Sequence, residues 1–183
     1  MVDVIATDAP GGQVLLREPG PADEAPLLAL FQACEDWFVA ATGLPSGPGD
    51  VQSLCYALPP GASPDDKLLL LVERSGTVIG LLDAVRNHPA PGTVSVGLFL
   101  PTPSARGTGL GRALADALLA RAEGVSSVTA TVPPGWTPGE RFLERLGFTP
   151  DTPTPRGPEN ANRRAGPREG TVRRAELRLD TRR

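Results

Sequence analysis

The chain is short of the residues that most often do chemistry. One histidine (His88), one tyrosine (Tyr56), one methionine and two cysteines are spread over 183 residues. Cys34 and Cys55 lie in regions of different character and form no CxxC spacing. They give no support to a metal site, and each reads as a small buried hydrophobe, a disulfide between them being the other possibility. Long apolar runs are missing too. "LLLLV" at Leu68–Val72 is far too short to span a bilayer, and the N-terminus opens with acids rather than the bases of a secretion signal, which predicts a soluble, cytoplasmic protein with no membrane partner. No aromatic residue interleaves with the arginines near the C-terminus, so nothing there would stack a nucleobase.

What is present is enough for a core. A hydrophobic content of 40% over this length predicts a single domain, residues 1–183, with 1–11 an N-terminal extension, 151–170 a loop and 171–180 the last strand. The net charge of −3 hides an asymmetry: residues 1–155 hold 9 basic against 17 acidic side chains, and residues 156–183 hold 9 against 4. The body is acidic and the tail basic. The tail segment "TVRRAELRLDT", Thr171–Thr181, alternates Val172, Ala175, Leu177 and Leu179 with charge. It reads as a half-exposed strand rather than as a nucleic-acid contact.

The most informative stretch is "SARGTGLGRALADALLARA", Ser104–Ala122. Gly107, Gly109 and Gly111 precede Leu110, Leu114, Ala117, Leu118 and Arg121, which keep the three-and-four spacing of an amphipathic helix. Glycines at a helix entrance leave unpartnered N–H groups and a positive dipole end open to close approach, which is an anion site. Upstream, "TVSVGLFL" (Thr93–Leu100) is a β-rich run closed by Pro101 and Pro103, so the unit reads strand, phosphate loop, helix. The Lys-Ser/Thr pair of a P-loop is absent, since Arg112-Ala113 follows Gly111. The acid that closes the next strand of a dinucleotide fold is also absent from "VSSVTATV", Val125–Val132.

Along the chain the pattern predicts a strand at Gly12–Glu18 and a helix from about Asp23 to Ala41 with Asp23 as N-cap. Its apolar face carries Leu27, Leu30, Phe31, Cys34, Trp37, Phe38 and Ala41. A Gly- and Pro-rich connection with a short helix near Val51–Ala57 comes next, then strands at Lys67–Arg74, Thr77–Val85 and Thr93–Leu100. The glycine-led helix, the acid-free strand and a helix around Pro138–Leu146 stopped by Gly147 complete the order.

Arg106-x-x-Gly109-x-Gly111 between a strand and a long helix resembles motif A of the GNAT acyltransferase superfamily. "ERFLERLGFTP" (Glu140–Pro150) resembles the end of that superfamily's last helix, and the element order matches over nearly the whole chain. "CEDWFVAATGLP", "PPGASPDDK", "GLLDAVRNHP" and "VGLFL" further resemble a bacterial branch with a Cys-x-Asp-aromatic helix. The resemblance implies an α/β fold with a mixed, mostly antiparallel sheet of six to seven strands flanked by about four helices. It also implies acetyl-CoA as co-substrate, no metal, and transfer to a primary amine of a small molecule or peptide.

On that resemblance, Arg106 and the amides of Gly107, Thr108, Gly109, Leu110 and Gly111 face the pyrophosphate, with Arg112 adding charge. The strand edge at Phe99, Leu100 and Pro101 meets the pantetheine arm, although Pro101 has no N–H to offer. The superfamily's occasional glutamate falls on Thr131, its tyrosine acid on Leu143 and its asparagine on Trp136. His88 is then either the base or a turn histidine. Asp83, interrupting an apolar strand, either enters the cleft, the reading adopted, or ends burial on an exposed face. Asp36 lies opposite its helix's apolar stripe and reads as solvated. Without the acid, the domain could also bind acyl-CoA or a partner without efficient turnover. A homodimer through the C-terminal strands is the other partner considered.

Overall fold

Alternation sets the sheet. In β2 (Gly12–Arg17), Val14 and Leu16 are buried while the residues between and beside them are not, the period-two pattern of a strand with one covered face. β3 (Lys67–Arg74) and β4 (Thr77–Arg86) instead bury consecutive residues, Leu70 to Val72 and Leu81 to Leu82, because helices cover both of their faces. The computed structural model describes residues 4–150 and 173–179. It adds β1 (Ile5–Ala9), β5 (Thr93–Pro101), β6 (Ser127–Val132), β7 (Thr149–Pro150) and β8 (Arg173–Arg178). The eight strands run β1-β2-β3-β4-β5-β6-β8-β7. Every neighbouring pair is antiparallel except β5 and β6, which are parallel.

Three helices, α1 (Glu24–Ala33), α2 (Glu35–Thr42) and α3 (Pro48–Tyr56), pack Leu27, Phe31, Phe38 and Leu54 against Leu71, Leu81 and Leu100 on one face. On the other face α4 (Leu110–Leu119) sets Leu110 and Leu114 against Val14, Leu16, Leu70 and Leu82. Beyond it, α5 (Thr137–Leu146) lays Leu143 and Leu146 over Val128 and Ala130. The expected α/β architecture is therefore present, with one strand more than the sequence suggested.

Three expectations change. Part of the N-terminal extension is β1, hairpinned to β2 through Pro10 and Gly11, whose φ of +89° is a conformation glycine tolerates. The helix expected over Asp23–Ala41 is two helices, because Cys34 leaves helical geometry at φ −106°, ψ 27°. Its thiol reaches the Pro101 carbonyl at 3.5 Å, so the break occurs where the helix meets the end of β5. Asp23 caps backward and not forward: its carboxylate accepts the Gly20 N–H at 2.6 Å and makes no cap bond to α1. The last strand runs Arg173–Arg178, paired with β6, while the expected loop at 151–170 lies outside the described residues. Cys34 and Cys55 are both free, one buried and one exposed.

Candidate functional site

β5 is paired on both sides along its first half and on one side along its second. It meets β6 over Thr93–Val96 only, while β4 accompanies it to Pro101. The change falls at a β-bulge: Asp83 opposes Leu98 and Ala84 opposes Val96, leaving Gly97 as the extra residue. A bulge bends and twists its strand. β5 and β6 therefore fork there, with the Thr131 hydroxyl donating to the Gly97 carbonyl at 3.3 Å across the fork.

The glycine loop stands at the open end of that fork. After β5, a single 3₁₀ turn (Pro103–Ala105) brings the chain to Gly107 and Gly109, whose φ angles of +72° and +91° are left-handed positions where a side chain is strained. Thr108 folds the loop on itself, donating to the Ala105 carbonyl at 2.8 Å and accepting the Leu110 amide at 3.4 Å. The Ala113 N–H bonds to the Gly109 carbonyl at 3.1 Å at the start of α4. The amides ahead of Ala113 lie at the positive end of the helix dipole. Gly111 serves packing: a Cβ there would lie 2.7 Å from the Phe142 ring, which stacks on Phe99 with centroids 5.5 Å apart. Bare backbone is what lets α4 approach α5 this closely.

A cavity of about 970 Å³ joins the two features. Its walls include Phe99, Leu100 and Pro101 of the half of β5 that β6 leaves open; Arg106, Gly107, Gly109, Gly111 and Arg112 of the loop; and Trp37, Trp136, Arg141, Phe142 and Arg145. Eight of the ten sequence-predicted donor residues thus share one cavity, Thr108 and the core residue Leu110 not being among its lining, and two of the eight need qualification. Arg106 lines the cavity, but its guanidinium donates to both Asp36 carboxylate oxygens (2.5 and 3.1 Å) and to the Pro101 carbonyl (3.2 Å), and it lies 5.5 Å from the centre of the Trp136 ring. The Asp36 carboxyl is held below its ordinary pKa by that hydrogen-bonded pair, and so is not a free solvated acid. Pro101, for its part, contributes its carbonyl, which Arg106 and Cys34 already occupy.

The candidate bases lie elsewhere. His88 sits in the β4–β5 turn, its amide bonded to the Thr93 carbonyl at 3.2 Å. Thr93 is four residues from the fork at Gly97, about 13 Å at strand spacing. Asp83 is level with the bulge, but its carboxylate takes a hydrogen bond at 2.9 Å from Lys67, which also donates to the Ala57 carbonyl beyond α3. Burial raises the Asp83 pKa, and Lys67 opposes the rise. Neither His88 nor Asp83 lines the cavity. Leu143 faces the core beside Leu146 and Val128, while its neighbour Phe142 takes the cavity wall.

Sequence reasoning missed Arg141 and Arg145. Their i,i+4 spacing on a helix was the available signal.

The Acetyltransferase (GNAT) family model matches residues 29–148. The chain belongs to the GNAT family. No curated protein matches it. Among solved structures, an acetyltransferase from Thermus thermophilus superposes with a TM-score of 0.69 at 20% identity, over 91% of this chain and 97% of that one. The GNAT domain of S. lividans PAT gives 0.68 at 18%, over 96% and 97%. Mycobacterium smegmatis RimJ in complex with CoA-disulfide gives 0.66 at 20%, over 96% and 86%. At these identities the structural likeness speaks for the fold. The GNAT family's general reaction, acyl transfer from acetyl-CoA, follows from the family match. Among the described residues no helix is long and apolar enough to cross a membrane.

Proposed function

We propose that this GNAT protein is an N-acetyltransferase that passes the acetyl group of acetyl-CoA directly to a primary amine of a small molecule or a peptide. One observation carries the reading: the glycine loop at the start of α4 and the half of β5 that β6 leaves open border the same cavity. The residues present fit the donor. The amides of Gly107 to Gly111 and the α4 dipole suit the pyrophosphate, Arg112 adds charge, and the apolar wall of Phe99, Leu100 and Phe142 suits an uncharged pantetheine arm. When bound, acetyl-CoA supplies an activated acyl group on a thiol whose pKa, about 8.5 for an ordinary thiol, lets it leave without an obligatory acid.

The chain's own residues then have three tasks. The loop fixes the anion, the open edge of β5 aligns the arm, and the Trp37 and Trp136 rings give the cavity an apolar wall that limits water. No carboxylate, imidazole, phenol or thiol is among the cavity's described lining residues. An acceptor amine therefore sheds its proton to solvent, and the expected rate rises with pH until the amine's own pKa is passed. A flat profile between pH 6 and 9 would point to a base supplied by the protein. The acidic body suits a cationic acceptor. The same bare wall favours a second reading, in which the domain binds acyl-CoA without efficient turnover.

The test is the melting temperature with and without excess acetyl-CoA, for the wild type, Gly109→Ala and Gly109→Glu. A ligand bound only by the folded state raises it. Both variants carry the strain of a side chain at φ +91° and set a Cβ 3.2 Å from the Pro10 ring, and only Glu adds a negative charge to the loop. A wild-type rise that Ala keeps in part and Glu abolishes supports the donor site; no rise in the wild type refutes it. Acetyl-CoA-dependent thiol release across a panel of amines separates turnover from binding alone.

A further inference from the structure

Two cations in the cavity wall have no partner among the described residues. Arg141 and Arg145 lie one turn apart on α5, both line the cavity beside Gly111 and Arg112, and both are exposed. Within that part of the chain neither guanidinium forms an ion pair or a side-chain hydrogen bond, although Glu144 is three residues from Arg141 and within helical reach. Other arginines near the cavity are spoken for. Arg106 is tied to Asp36 and Pro101, and Arg112, already assigned to the pyrophosphate, also meets Asp116 at 3.0 Å. Two like charges one turn apart disfavour a helix standing alone. What they favour is a multiply charged anion at the cavity mouth.

Resting on the donor reading above, we propose that Arg141 and Arg145 form a subsite for the 3′-phosphate of the donor's ribose and so select CoA over its 3′-dephospho form. The loop amides account for the pyrophosphate, which leaves one phosphate dianion without a partner. The ribose carries that group only a few bonds from the pyrophosphate, and Arg141 and Arg145 line the same cavity as the glycine loop. A guanidinium presents paired N–H donors that match phosphate oxygens, and two of them on one helix row can grip a single phosphate from adjacent sides. Arg141 and Arg145 would thereby set which donor is recognised and take no part in the chemical step.

The experiment is calorimetric binding of CoA and of 3′-dephospho-CoA to the full chain, for the wild type, Arg141→Gln, Arg145→Gln, the double variant and Gly109→Glu. Each arginine lost should weaken CoA about tenfold, the scale of a charge-assisted hydrogen bond. Dephospho-CoA should change less than about twofold, since its remaining charge, the pyrophosphate, is held by the loop amides and not by these two arginines. The wild type should prefer CoA, and the preference should shrink as salt rises. Equal weakening of both ligands, no weakening of either, or a wild type that fails to discriminate would overturn the subsite. Gly109→Glu should weaken both ligands alike; if the wild type binds neither, the donor reading fails and not this one alone. Both arginines are exposed, and melting of the unliganded variants checks that they fold as the wild type does.

Discussion

Two of the arginine–aspartate clasps among the described residues, Arg17–Asp23 and Arg106–Asp36, are built for different ends. Arg17 on β2 donates to both oxygens of Asp23 (2.7 and 2.8 Å) and to Glu73 on β3 (2.7 Å), and Asp23 also takes the Gly20 amide. Asp23 is buried, its side chain 9% exposed, and the network fixes the entry to α1 against the sheet. Arg106 holds Asp36 with the same two-point geometry, but that carboxylate is 48% exposed and the guanidinium forms part of a cavity wall over Trp136. One clasp buries its carboxylate and serves the fold. The other borders the space where a ligand goes, so its charge balance can be read by that ligand.

The difference breaks most sharply at Asp23. Asp23→Ala leaves Arg17 half-buried with one of its two carboxylate partners gone, and should cost about 3 kcal/mol of stability in denaturant unfolding. The acetyl-CoA dissociation constant of the folded variant should not move. The same clasp predicts an acid limb. Arg17 holds the Asp23 pKa down to about 2, below the usual carboxylate value near 4. A carboxyl depressed on folding contributes stability that is fully present above its unfolded pKa and is lost as pH falls through the folded one. Stability should therefore decline from about pH 4 towards pH 2, and Asp23→Asn should flatten that part of the curve. An unchanged acid limb in Asp23→Asn would mean that other carboxylates carry it.

On the cavity side the largest effect belongs to Gly111. Gly111→Ala sets a methyl 2.7 Å from the Phe142 ring and 3.2 Å from Phe99. Relief requires the Phe99–Phe142 stack to open or α4 to move, at a cost of about 1–3 kcal/mol. Because the same stack lines the donor cavity, acetyl-CoA binding should weaken along with stability, unlike at Asp23. A destabilised variant with unchanged affinity would separate the packing of the two helices from the shape of the site.

How much of this could be read beforehand follows from the range of the interactions. The loop was legible because strand, glycines and amphipathic helix are contiguous, and each signal is local. β3, β4 and β5 were placed to within a residue or so, since Ser75-Gly76 and the His88–Gly92 turn punctuate clean apolar runs. The break at Cys34 was not legible: no Pro or Gly marks it, and it coincides with a contact 67 residues away. Asp36 looked solvated because its helix face is polar, while its partner Arg106 lies 70 residues on. His88 attracted attention by being the only imidazole, a fact about composition that carries no position. The Lys67–Asp83 pair likewise needed the register of two strands before Asp83 could be seen to be engaged.

The smallest predicted effect tests the open clasp itself. Asp36→Asn removes a negative charge that is half in water, so stability should change by less than about 1 kcal/mol. Asn keeps an oxygen for one Arg106 N–H, and the stacking over Trp136 can persist. Acetyl-CoA meets a different balance: the Arg106 charge next to the glycine loop is no longer neutralised, and an anionic ligand entering the cavity should bind a few-fold tighter at low salt, with the gain fading as ionic strength rises. If affinity instead falls, Asp36 is needed to hold Arg106 in the wall, and the clasp at the cavity is a scaffold of the same kind as the one at Asp23.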